Sequence, residues 1–79
     1  MLPAPPPSDD WVIARRRAVG QNLRAARRAA RLTQEELAEL SGLDRQAVNR
    51  IEQAHQSALL DNLIRLAAGL GIPLAELVK

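Results

Sequence analysis

The 79 residues suffice for one small domain, with 11 Lys and Arg against 9 Asp and Glu, a single aromatic residue, Trp11, and no cysteine. A chain of this size buries only a modest share of its surface, so its core has to come from regularly spaced Leu, Ile, Val and Ala. These figures exclude a disulfide frame and a Cys-based metal site. No apolar run approaches the roughly 20 residues of a membrane span, and the start lacks the apolar segment of a secretory signal.

Residues 1–8 read as a disordered, Pro-rich lead with nothing to bury, and residues 9–79 as the folded domain. Ser8 is the N-cap expected for a first helix whose opening turn carries Asp9 and Asp10, a favourable placement against the helix dipole. From there to about Arg31 no proline intervenes, and Val12, Val19, Leu23, Ala26 and Ala30 repeat at helical spacing. Gly20 costs about 1 kcal/mol relative to Ala in such a place, so one long helix and two shorter pieces both fit. Trp11 fits a cap on the small core or a contact between subunits.

The stretch Leu32 to Glu52, LTQEELAELSGLDRQAVNRIE, then predicts two short helices around a glycine turn. Thr33 and Glu36 have the spacing of a capping box. Leu37, Ala38 and Ser41 form one small face, and Gly42 supplies the left-handed geometry that ends the helix. Asp44 is a favoured N-cap for the next helix. There Ala47, Val48 and Ile51 share one face, while Arg45, Gln46, Asn49, Arg50 and Gln53 share the other. The buried face is small, and the exposed one is made of hydrogen-bonding groups.

Gln53 to Ser57 is polar and turn-like. A fourth helix is expected from Ala58 or Leu59 to Gly69 or Leu70, with Leu60, Leu63, Ile64, Ala67 and Leu70 on one stripe, widened by Leu59 and Leu66. Gly71 breaks it. Pro73 suits the first turn of a last short helix, Leu74 to Val78. The surplus leucines near the end, Leu74 and Leu77, fit core and dimer seam equally.

Charge is unevenly spread along the chain. Residues 9–31 hold seven arginines and two acids, whereas residues 32–79 hold four bases and seven acids. Ten of the eleven bases are Arg, the side chain best suited to forked contacts with phosphate and guanine. The Arg15-Arg16-Arg17 run fits a solvated face and, alternatively, a phosphate-neutralising patch beside DNA.

The run LTQEELAELSGLDRQAVNRIE followed by LLDNLIRLAAGLGIPLAEL resembles the Xre-type helix-turn-helix family of phage repressors, Cro proteins and their bacterial relatives. The match extends from about Val19 to Val78. The resemblance implies an all-α fold, a compact five-helix bundle, here with an extended N-terminal helix and its helix-turn-helix unit over residues 33–53. It also implies a sequence-specific transcriptional regulator of double-stranded DNA that binds a palindromic operator as a homodimer, in the cytoplasm and at the nucleoid of a bacterial or phage system.

Carried over by position, Gln34 falls where the family anchors a DNA phosphate; Thr33, Arg28 and Arg31 are further candidate phosphate contacts. Arg45, Gln46 and Arg50, with Asn49 as a lesser candidate, fall where the family reads bases. The chemistry agrees: Arg forks onto guanine O6 and N7, and Gln or Asn onto adenine N6 and N7. Arg27 and Glu52 fall where the family places a structural ion pair. The chain departs from the family at Ala54, where Gly is common, and at Ser57-Ala58-Leu59, where Asn-Pro-Ser is common; Ser57 is therefore the cap expected for the fourth helix.

Neither a metal nor a cofactor is implied. His55 is the sole histidine, and Ser57 lacks an orienting acid or a strained nucleophile turn, so an enzyme is not expected. The rival reading is a protein-interaction adaptor or antitoxin-like regulator on the same fold, its N-terminal extension engaging a protein partner.

Overall fold

The computed structural model describes Pro3, Ala4 and residues 7–79; the reading of residues 1–8 as a disordered lead falls in part outside that set. The expected all-α, five-helix architecture is borne out: α1 (Asp10–Ala29), α2 (Gln34–Ser41), α3 (Arg45–Gln53), α4 (Leu60–Leu70) and α5 (Leu74–Val78). Every helix supplies the core, in which Leu23, Leu37, Val48, Leu66 and Leu77 are fully buried. No helix among the described residues is long and apolar enough to cross a membrane.

Of the two arrangements open for the first segment, the structure has one unbroken helix. Its N-cap is Asp9 rather than Ser8, and Asp9 makes no side-chain cap bond. The reason is local: at φ −89 and ψ 7, Asp9 lacks the extended backbone that turns a capping oxygen onto the free N–H groups. Gly20 marks a close approach instead of a break. A Cβ there would lie 2.6 Å from the carbonyl oxygen of Ile51 and 2.7 Å from that of Glu52, so only a bare backbone lets α1 lie across the end of α3. Trp11 is 46% exposed and does not cap the core.

The fourth helix is rotated from its expected setting. Its buried face is Leu63, Leu66 and Ala67, with Leu70 packed against it, while Leu60 and Ile64 are 60% and 47% exposed. Two overlapping apolar stripes run along this helix, and periodicity cannot choose between them; packing against α2 and α5 does. The helix starts at Leu60 with Leu59 at the N-cap and no side-chain cap, because Ser57 lies two residues too early to reach the first free N–H groups. Pro73 likewise occupies the N-cap of α5, one position before the first turn. Leu77 is fully buried and Leu74 packs on the core, so both are core residues.

One C-terminal design recurs. The amides of Leu32, Leu43, His55 and Ile72 donate to the carbonyls of Arg27, Ala38, Arg50 and Ala67, at 3.1, 2.9, 3.2 and 3.0 Å. Each bond spans a residue in the left-handed region: Arg31, Gly42, Ala54 and Gly71. This is the Schellman arrangement, and in three of the four cases an apolar residue follows to seal it. Two of the left-handed positions carry a side chain, which is strained there. Replacing Ala54 with Gly is therefore expected to stabilise the fold by about 0.5 to 1 kcal/mol, read as a melting midpoint a few degrees higher; an unchanged or lower midpoint would count against strain at this cap.

Candidate nucleic-acid interface

The helix-turn-helix unit is held at both helix starts by side chains. At α2 the Thr33 hydroxyl accepts from the Glu36 amide at 3.0 Å, and the Glu36 carboxylate accepts from the Thr33 amide at 2.9 Å. The bond from the Thr33 amide, and after it the nearby Thr33 side chain, hold the Glu36 carboxyl below its ordinary value. Its contribution is full above the unfolded carboxylate range and is lost as the pH falls through the lower folded value. The box leaves the Gln34 and Glu35 amides at the helix start unused by it, the kind of donors that suit a phosphate oxygen. At α3, Asp44 Oδ1 accepts from the Ala47 amide at 2.7 Å, and between these caps Gly42, at φ 70, turns the chain.

Val48 and Ile51 anchor α3 in the core, which leaves the opposite side in solvent. Arg45, Gln46, Arg50 and Gln53 are all exposed there. Gln46 and Arg50 stand one turn apart, and Arg50 Nη2 donates to Gln46 Oε1 at 3.4 Å. Asn49 lies at the edge of this face and is half-buried. Its Nδ2 donates to Gln34 Oε1 at 3.4 Å, so part of its amide is already engaged within the protein.

That bond belongs to a network joining three helices. Gln34 Nε2 donates to Glu52 Oε1 at 3.3 Å. Arg27 forks onto Glu52, Nε to Oε2 at 2.7 Å and Nη2 to Oε1 at 3.0 Å, and its Nη1 donates to the Leu32 carbonyl at 2.9 Å. The Glu52 side chain is only 2% exposed and that of Arg27 12%. The hydrogen bond to Glu52 raises the Arg27 pKa against the opposing effect of desolvation. The network is a brace: it fixes where α2 begins relative to α3, and hence where Gln34 stands beside the exposed face.

Arg28 is exposed in the last turn of α1, Arg31 in the turn that follows it, and Thr33 at the N-cap of α2. The structure thus groups Arg45, Gln46 and Arg50 on one face and Arg27, Gln34, Asn49 and Glu52 in one network. Arg28 and Arg31 lie outside both groups. Two residues that position the face escaped the sequence reading. Gly20 seats α1 on α3, and its only signal was a glycine in an otherwise unbroken helix. Asn22 closes α5 onto α1, donating to the carbonyls of Leu77 and Lys79 at 3.1 and 3.3 Å, and nothing local announced it.

The sequence profile described as helix-turn-helix matches residues 23–77. Control protein C.SmaI of Serratia marcescens is 32% identical over 73 residues, spanning 92% of this chain and 87% of that protein. The crystal structure of the restriction-modification controller protein C.AhdI from Aeromonas hydrophila superposes with a TM-score of 0.78 at 44% identity, over 81% of this chain and 97% of that one. The hypothetical transcription factor NHTF from Neisseria gives a TM-score of 0.79 at 33% identity, over 100% of this chain and 87% of that one. With the capped turn, the buried anchors of α3 and its polar outer face in agreement, the chain belongs to the helix-turn-helix family of Xre/Cro type, DNA-binding transcription regulators that are not enzymes.

Proposed function

We propose that this protein binds a palindromic operator as a homodimer in the cytoplasm and reads its bases with Arg45, Gln46 and Arg50. The observation that carries the reading is the outer face of α3, where these three side chains stand exposed while Val48 and Ile51 are held in the core behind them. Asn49 and Gln34 serve beside them, Asn49 at the edge of the reading face and Gln34 with the α2 amides at a phosphate. Arg28, Arg31 and Thr33 add phosphate contacts around that helix start. Each bidentate base contact is worth about 1 to 3 kcal/mol of discrimination. Since one relative is a restriction-modification controller, the genes of a restriction-modification system are the target class we favour.

Selection of bound duplexes from a random pool tests this directly. The expected result is an inverted repeat whose half-sites lie one helical turn, about 34 Å, apart. Failure to bind any duplex at low salt would instead favour the adaptor or antitoxin-like reading.

The dimer is supported by the apolar side chains that the rotation of α4 leaves outside: Leu59, Leu60 and Ile64 are 70%, 60% and 47% exposed. Replacing Ile64 with Glu is expected to give a folded monomer by sedimentation, with operator affinity reduced by at least tenfold. A dimer that persists in this variant would place the seam elsewhere.

A further inference from the structure

The α1 helix carries a surface that neither the core nor the reading face uses. Arg17, Arg24 and Arg28 are all exposed, and spacings of seven and four residues put them within about 20° of a single line along the helix. The row spans about 16 Å. It is the next surface round from the contact with α3. Gly20, against which the Ile51 and Glu52 carbonyls pack, lies one turn from both Arg17 and Arg24. Arg27, which grips Glu52, is the immediate neighbour of Arg28. The row therefore runs alongside the end of α3.

Its chemistry is one-sided. Among the described residues no acidic side chain pairs with any of the three arginines. Between them the helix presents Gln21 and Ala25, both exposed, and no large apolar anchor of the kind on which protein interfaces centre. Each strand of a duplex carries one charge per about 3.4 Å of its axis, so the row runs along about five phosphates of one backbone, enough for all three arginines.

We infer that Arg17, Arg24 and Arg28 form a phosphate-binding rail that grips the DNA backbone flanking the bases read by α3. The inference rests on the operator reading above and extends it to a surface that begins before the matched part of the family. The rail adds affinity without sequence information, since phosphates are alike at every site. It gives a role to three of the six arginines of α1.

The test is a salt series of operator binding for wild type, for R17Q/R24Q/R28Q and for R15Q. Arg15 lies about 160° round the helix from Arg17 and donates to the Lys79 carbonyl, so R15Q is the control for lost charge alone. Each lost phosphate contact lowers the slope of log affinity against log salt by about 0.9. The triple variant is therefore expected to lose about 2 to 3 from the slope, keep the wild-type site preference and melt with wild type, while R15Q keeps the full slope. An unchanged slope in the triple variant, an altered site preference, or a loss of about 0.9 in R15Q, the same per arginine, would overturn the rail; the first would also remove Arg28 from the phosphate contacts, while base reading by α3 would stand. A wild type that binds no duplex at low salt would overturn both.

Discussion

Replacing Glu52 with Ala is expected to lower stability by about 3 to 5 kcal/mol, the cost of leaving a buried charge without its partner. For a domain of this size that is a fall in melting midpoint on the order of 15 to 30 °C. The side chain removed is 2% exposed, and Arg27 would remain beside it with only the Leu32 carbonyl to hold. Gln34 would lose its acceptor as well. The pair is not itself a large net source of stability, because desolvating both charges offsets much of their attraction. Replacing both, with Arg27 as Met and Glu52 as Leu, should therefore recover much of the loss. Thermal melts of the two variants check this, and a midpoint for the single variant within a few degrees of wild type would remove the brace from the account.

The second large effect is expected at Gly20. A methyl group there would lie 2.6 and 2.7 Å from two backbone carbonyl oxygens, distances at which neither helix can stay in place. The oxygens belong to the last turn of α3, so relief comes by pushing α1 off α3 rather than by rotating a side chain. Alanine is the better helix former by about 1 kcal/mol, and the clash has to outweigh that gain. A net destabilisation of about 2 to 3 kcal/mol is expected, at the upper end of overpacking changes, with a matching loss of operator affinity because the brace at Arg27 lies two turns along the same contact. A Gly20→Ala variant that melts at or above wild type would show that this crossing is looser than the structure has it.

These two residues also show where a sequence stops speaking. The capping box at Thr33 and Glu36, the left-handed Gly42 and the Asp44 cap each depend on neighbours within four positions, and all were legible in advance. Gly20 was visible only as a weak helix former, because what it accommodates comes from residues 31 and 32 positions later in the chain. Asn49 was grouped with the reading face by helical spacing, and spacing is silent about Gln34 on another helix.

By itself the sequence determined the five helices, the turn between α2 and α3 and the division of α3 into an anchoring and a polar side, since periodicity and capping are local properties of a chain. The tertiary structure decided which stripe of α4 is buried and so which apolar residues, Leu60 and Ile64 among them, stand outside. It decided that Leu74 and Leu77 belong to the core. It also turned Gly20 from a break into a seat for α3, because the close approach of two helices is fixed by the packing of the whole bundle and is not written in either helix alone.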